Sequence, residues 1–147
     1  WYAKADALYN LGRHEDAILA YRMVLELATN DVEAWSDYAE TLFEMLRDEE
    51  ALTAYETAIA LDPAGADQHY GRAKVLFRGK DLFEAVVELL VTFRLDPSKQ
   101  RQYQTEFPMI AASEADFQAL DEVIRTQLRR AAELPPEASD ATAPEQA

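Results

Sequence analysis

A repeat with a period of 34 residues is the feature that most constrains this fold. The stretch 35–63 aligns with 1–29 when it is moved back by 34 positions, and with 69–97 when it is moved forward by as many. The coinciding positions are small or large apolar residues: Ala5, Ala39 and Ala73; Leu8, Leu42 and Leu76; Ala17, Ala51 and Ala85; Leu27, Leu61 and Leu95. A fixed period of this length is typical of solenoids, whose stacked units share one core.

Each copy is predicted to form two helices joined by a short turn. The predicted helices are 1–11 and 15–28, 32–45 and 48–61, and 66–79 and 81–95. Asp31 is a good N-cap for the third helix, and Asp81 with Glu84 has the spacing of a capping box. Asp62 precedes Pro63 and is therefore expected to end the fourth helix.

The middle copy places an aromatic, two large apolar or aromatic, two small and one proline residue at fixed intervals: Trp35, Leu42, Tyr55, Ala51, Ala58 and Pro63. This pattern resembles the tetratricopeptide repeat, a helix–turn–helix unit of 34 residues. The resemblance covers residues 1 to about 97, although copy three departs from it at His69, Leu89 and Thr92. It implies an all-α fold, a right-handed α-solenoid of antiparallel helix pairs.

The second helix of copy three is apolar nearly all round, since it carries Val87, Leu90 and Val91 at positions that are mixed or polar in the other copies. Such a helix is buried on both sides, so a further segment is expected to cover it. Residues 98–133 fit this role, with a short helix ended by Pro108 and a longer one that starts at Ser113. A docking helix or dimer contact is the alternative reading of that segment.

The sequence thus predicts a repeat domain over 1–133, with repeats of about 1–31, 32–65 and 66–99 and a cap over 100–133. Residues 135–147 carry three of the six prolines and no large apolar residue, so 134–147 is predicted to be a disordered tail or linker. The Glu106-Phe107-Pro108 segment followed by a closing helix also resembles the end of many bacterial repeat proteins.

The chain is acidic, with 28 acids, 14 bases and a formal net charge of −14. This opposes direct binding to nucleic acid or to anionic membranes, because both need a basic footprint, and no direct membrane insertion is expected. No signal peptide is visible, and there are no cysteines, so the cytoplasm is the expected compartment. The chain enters the repeat at Trp1 without a Met, which leaves a missing N-terminus and a periplasmic or exported location open.

No residue constellation typical of catalysis is found in the sequence. His69 takes the place of Trp1 and Trp35 and is interpreted as a packing residue, and His14 as a solvated or capping one. Asp48, Glu49 and Glu50 are consecutive, so they point in different directions around a helix start. We therefore expect no enzyme activity, no metal and no cofactor in this segment.

In the family that the repeat resembles, the first helix of each copy lines a concave groove that holds peptides or helices. Carried over by position, the predicted groove residues are Tyr2, Asp6, Tyr9 and Asn10 from copy one; Glu33, Ser36, Asp37, Glu40, Phe43 and Glu44 from copy two; and Asp67, Tyr70, Lys74, Phe77 and Arg78 from copy three. Exposed aromatic rings between acidic side chains suit a peptide site.

The charges predict a basic or amphipathic partner segment, bound by a protein–protein interaction scaffold. Some family members hold a C-terminal carboxylate in the groove, but here Asp6, Asp37 and Asp67 occupy the corresponding places and would repel it. Two alternatives remain. The chain is a self-assembling structural module and a possible homo-oligomer, or it is a docking or regulatory module of a larger enzyme or secretion machine.

Overall fold

The structure, a computed structural model, describes residues 1–134. Within this range the chain forms eight helices and no strand: α1 Tyr2–Asn10, α2 His14–Leu27, α3 Val32–Glu44, α4 Asp48–Leu61, α5 Ala66–Arg78, α6 Leu82–Leu95, α7 Lys99–Ile110 and α8 Glu114–Glu133. Helices α1 and α2, α3 and α4, and α5 and α6 pack as successive pairs, and α2 and α4 also contact the first helix of the next pair. The predicted all-α solenoid of helix pairs is confirmed.

The turn inside each pair contains one residue in the left-handed region. Gly12, Leu46 and Lys80 have φ of 75°, 59° and 63° and are spaced by the repeat period. In each copy the next residue donates its N–H to a carbonyl near the end of the preceding helix, as Arg47 does to Leu42 over 2.9 Å. Since this is a common way to end a helix, the three pairs share one turn geometry.

The predicted helix starts and stops are largely confirmed. The Asp31 carboxylate accepts from the Ala34 N–H over 3.0 Å, and the Asp81 carboxylate accepts from the Glu84 N–H over 3.3 Å. Asp62, with φ of −139° and ψ of 89°, lies outside the α region and follows the last residue of α4. The carboxylates of Asp31 and Asp81 thus accept from backbone N–H groups that would otherwise be unpaired at the helix starts.

Alanines allow the helices to pack closely. Ala5, Ala17, Ala39, Ala51, Ala73 and Ala85, which recur with the repeat, are fully buried. Larger side chains, such as Leu42 and Tyr55, fill the space between the helices. The small residues therefore set the distance between helices, and the large ones supply most of the buried apolar area.

Ala51→Leu is expected to lower the free energy of unfolding by about 1–3 kcal/mol, because the added methylenes overpack a closed core. Ala51 has 0% of its surface exposed. Ala60→Leu, at an exposed position of the same helix, is the matched control and should change stability little. Urea unfolding followed by circular dichroism measures both, and an unchanged midpoint for Ala51→Leu would contradict the assigned packing.

The segment after the third pair packs on that pair. Helix α7 contacts α5 and α6, and α8 contacts α6 and α7. Leu120 and Ile124 of α8 are buried in the same cluster as Leu89, with Val86 and Leu90 half-buried beside them. One expectation was wrong, because Val87 stays exposed and α6 is therefore covered over only part of its outer face.

Pro108 does not end α7, contrary to the sequence expectation. The helix continues to Ile110, and the Ala111 N–H still donates to the Phe107 carbonyl over 3.1 Å. A proline in the last turn removes only one backbone donor, while the buried Phe107 ring holds that turn against the core. Apart from Leu134, the predicted tail over 134–147 lies outside the described residues.

Candidate peptide-binding groove

Helices α3 and α5, the first helices of the second and third pairs, line a groove together with α7; it has a volume of about 720 Å³ and is here called the main groove. It collects nine of the predicted site residues: Glu33, Ser36, Asp37, Glu40, Phe43, Glu44, Asp67, Tyr70 and Lys74. Within α3 and within α5 the lining residues recur at intervals of three or four positions, so those of each helix lie on one face. The main groove therefore joins two repeats and α7.

A smaller pocket of about 290 Å³ adjoins the main groove and is here called the N-terminal pocket. Its lining consists of four acids, three tyrosines and one asparagine: Asp6, Glu33, Asp37, Glu40, Tyr2, Tyr9, Tyr21 and Asn10. The predicted residues of copy one all lie here. Glu33, Asp37 and Glu40 belong to both cavities, so the two are continuous along α3.

Phe77 and Arg78, also predicted for the groove, lie elsewhere. They line a separate small cleft near Ile110 and Asp116. Phe77 is buried, and its ring centroid is 5.4 Å from that of Phe107. The Arg78 guanidinium pairs with Asp48, donates to the Phe43 carbonyl over 2.6 Å, and lies 3.5 Å from the Phe43 ring centroid.

The expectation that aromatic rings are exposed in the groove was wrong for copies two and three. Phe43 and Tyr70 are among the lining residues of the main groove, but both are buried. Arg78 covers Phe43, and Phe107 packs on Tyr70 with ring centroids 5.7 Å apart. Among the aromatic rings predicted for the groove, Tyr2 and Tyr9 of copy one are the half-buried ones.

Tyrosine hydroxyls hold several of the groove carboxylates. Tyr21 donates to Asp6 over 2.8 Å, and Tyr55 donates to Glu40 over 2.6 Å; the partners are 15 residues apart in both cases. Burial, followed by the neighbouring carboxylates, raises the pKa of Tyr55 well above its usual value. Burial likewise raises the pKa of Tyr9 to about 12. Both hydroxyls therefore stay protonated at neutral pH, and that of Tyr55 donates to Glu40.

Copy three replaces this arrangement by an ion pair. Leu89 stands where the other copies have tyrosine, and Lys74 stands where they have an acid. Lys74 is only 7% exposed, and its Nζ lies 2.9 and 3.0 Å from the two Glu40 carboxylate oxygens and 3.7 Å from Glu106. A buried ammonium needs such partners, so Lys74 is neutralised within the chain.

The main groove is strongly acidic, because its one lysine is already paired with acidic side chains of the chain. Its lining contains six carboxylates, from Glu33, Asp37, Glu40, Glu44, Asp67 and Glu106, and one ammonium, from Lys74. Lys99 pairs with Asp67 at the edge. Burial, together with the charges of Asp6, Glu33 and Glu40, raises the pKa of Asp37 above its usual range despite the hydrogen bond from Tyr2, which lowers it.

Asp37→Asn is expected to stabilise the protein at neutral pH by about 0.5–1 kcal/mol, because it removes like-charge contacts with Glu33 and Glu40 on the same helix face. The asparagine oxygen still accepts from Tyr2. Since the pKa of Asp37 is higher in the folded state, the folded state holds more protons than the unfolded state as the pH rises from about 3.8 through that raised pKa. The contribution of Asp37 to wild-type stability therefore falls over that range. Thermal unfolding between pH 4 and 7 should show a smaller fall for Asp37→Asn, as about one ionisation is removed; identical pH profiles would contradict this.

Helix α7 adds groove residues that the repeat alignment missed: Gln102, Glu106, Met109 and Ile110. Met109 is 81% exposed and supplies an apolar surface at this end. Gln102, Glu106 and Met109 follow Asp67, Gly71 and Lys74 by 35 residues instead of 34, so they are out of register with the repeat. Their spacing of four and three was the signal that they share one helix face.

The two histidines differ in their surroundings. The His69 ring nitrogens lie 2.6 Å from Glu88 and 2.8 Å from the Pro63 carbonyl, so the ring links α5 to α6 and to the loop before α5. His14 packs edge-on against Tyr9. In the part of the chain that the structure describes, no three acidic or histidine side chains are grouped to hold a metal ion. None of the described helices is long and apolar enough to cross a membrane.

Comparisons with known proteins agree with this fold. A family model described as tetratricopeptide repeat matches residues 1–41, and one described as TPR repeat matches residues 47–79. The first TPR of Spaghetti, solved with the HSP90 peptide SRMEEVD, is 16% identical with a TM-score of 0.67, and the alignment covers 87% of this chain and 90% of that one. The Yersinia enterocolitica type III secretion chaperone SycD, solved with a peptide of the translocator YopD, is 18% identical with a TM-score of 0.66, over 82% and 88% of the two chains. No curated protein matches the sequence.

Proposed function

Because the chain belongs to the tetratricopeptide-repeat family, we propose that it is a protein-interaction module whose groove binds a basic or amphipathic segment of another protein. The charge of the main groove carries this proposal. Six carboxylates face one ammonium there, and that ammonium is already paired with Glu40. A surface of this kind attracts a positively charged segment and speeds its association.

The two solved relatives support peptide binding in general, since each was solved with a peptide. The HSP90 peptide SRMEEVD contains three acids and one arginine. In this chain a ligand of that charge would face Glu33, Asp37 and Glu44. We propose that the present groove prefers the opposite charge, with Met109 and Ile110 offering an apolar surface to an aliphatic or aromatic anchor.

Selection from a random peptide library tests this proposal. The bait is the full chain beside Glu33→Lys/Glu44→Lys, whose wild-type side chains are exposed and form no ion pair within residues 1–134. Glu122→Lys/Glu133→Lys on α8 changes the charge equally away from the groove and is the matched control. Circular dichroism confirms that all baits are folded.

The wild type and the control are expected to enrich peptides rich in Lys and Arg, and the groove variant is expected to lose them. Synthetic SRMEEVD should show no measurable affinity for the wild type. Enrichment of acidic peptides, or basic peptides retained equally by the groove variant, would contradict the proposal.

Self-association is the second candidate, and a specific surface favours it. Trp1, Leu19 and Met23 are exposed and line a cleft formed by α1 and α2. Trp35, the equivalent of Trp1, lies in a cleft that α2 of the preceding copy helps to form. Sedimentation at several concentrations would support this candidate if the mass exceeds that of the monomer and Leu19→Glu abolishes the increase.

A further inference from the structure

The N-terminal pocket contains negative charge without a positive partner in its lining. Asp6 and Asp37 face it from α1 and α3, with Glu33 and Glu40 beside them, and no Lys or Arg is among the lining residues. Tyr21 donates to one oxygen of Asp6, and Tyr2 donates to one oxygen of Asp37. Each carboxylate is thus held by one oxygen, while its other oxygen accepts no hydrogen bond within residues 1–134.

One repeat further along, the same fold shows what such a place accommodates. The Lys74 ammonium lies between Glu40 of α3 and Glu106 of α7, with the ring centroids of Phe43 and Tyr70 at 5.2 and 5.7 Å. Two carboxylates and two rings together hold this buried cation, through ion pairing and cation–π attraction.

The repeat relates the two places residue by residue. Moved back by 34 positions, Lys74 falls on Glu40, Glu40 falls on Asp6, and Phe43 falls on Tyr9. The N-terminal pocket therefore keeps an acid and a ring in the corresponding positions, while the cation is replaced by a further acid. It has the partners of an ammonium group and a volume of about 290 Å³ in which to receive one.

We propose that the N-terminal pocket binds the cationic side chain of one lysine or arginine of the partner segment, between Asp6 and Asp37 and against the Tyr2 and Tyr9 rings. This inference rests on the proposed function and names the subsite that would select for basic residues. The rest of the segment then lies along the main groove, which is continuous with the pocket through Glu33, Asp37 and Glu40.

A single amino acid with blocked termini tests the pocket independently of a longer partner segment. The probe is N-acetyl-lysine amide, and N-acetyl-norleucine amide is its uncharged control. Binding to the isotope-labelled full chain is followed at low salt by nuclear magnetic resonance, through the ring signals of Tyr2 and Tyr9. The variants are Asp6→Asn, which keeps an oxygen to accept from Tyr21, and Glu44→Gln, which removes an acid of the main groove that does not line the pocket.

The lysine probe is expected to shift the Tyr2 and Tyr9 signals of the wild type and of Glu44→Gln with similar millimolar affinity. Asp6→Asn should bind it about tenfold more weakly, since one of the two flanking charges is lost. The norleucine probe should cause no saturable shift.

Two results would contradict the proposal that the pocket binds a cationic side chain. One is equal affinity of the lysine probe for the wild type and Asp6→Asn, and the other is the absence of a saturable shift of the two tyrosine signals. If the pocket test fails in this way but the library selection still enriches basic peptides, the proposed function stands. The basic residues of the partner would then bind elsewhere in the groove. Failure of both experiments would remove the proposed function as well.

Discussion

Replacing Phe107 by alanine is expected to lower the free energy of unfolding by about 3–5 kcal/mol, the range for removing a fully buried aromatic side chain. Phe107 is 0% exposed. Its ring centroid lies 4.9 Å from that of Tyr103, 5.4 Å from Phe77 and 5.7 Å from Tyr70. One side chain thus joins α7 to α5, and its loss leaves a cavity that neither helix fills.

Phe83→Ala is the matched control for this prediction, since Phe83 is on α6 and 80% exposed. Its effect should stay within about 0.5 kcal/mol, as for most surface substitutions. Urea unfolding followed by circular dichroism measures both variants. Equal losses of stability for Phe83→Ala and Phe107→Ala would show that α7 is not held in the way described.

The second large effect is expected at Gly71, where alanine should destabilise the protein by about 2–3 kcal/mol through overpacking. A Cβ at this position would overlap the ring of Tyr55. Tyr55 is buried, and its hydroxyl donates to Glu40 over 2.6 Å, so the ring cannot move without losing that bond. Helix propensity alone predicts the opposite sign, because alanine is favoured over glycine by about 1 kcal/mol inside a helix.

Gly79→Ala provides the comparison. Gly79 follows the last residue of α5, and an added Cβ would lie 3.4 Å from the nearest atom, the Val75 carbonyl oxygen. Stability should therefore change by no more than about 0.5–1 kcal/mol and in the favourable direction. Thermal unfolding of both variants decides the matter, and a stabilised Gly71→Ala would mean that the Tyr55 ring does not pack where the structure places it.

The repeat made the fold predictable. A period of 34 residues gave six helices close to their observed bounds, and it also identified the small residues that become fully buried, such as Ala39 and Ala51. Periodicity succeeds here because each unit packs mainly on its neighbours, so that a local pattern determines the contacts.

The groove was predictable only in part, because side-chain partners from outside the repeat decide which positions line it. Phe77 occupies a groove position by alignment, but Phe107 of α7 buries it. Arg78 forms an ion pair with Asp48, which belongs to the preceding copy, and therefore does not line the main groove. Met109 and Glu106 enter the main groove from a helix that no longer follows the period. The alignment contains no information on such contacts.

The most direct test of the central claim is to map where a basic peptide from the library selection binds. Isotope-labelled full chain is titrated with that peptide, and backbone amide shifts are followed by nuclear magnetic resonance. We expect the largest saturable shifts along the groove, at residues such as Ser36, Glu40 and Gly71, with Phe83 of α6 and Val123 of α8 unchanged. Shifts centred on α6 and α8, with the groove residues unchanged, would contradict the assignment of the groove as the binding site.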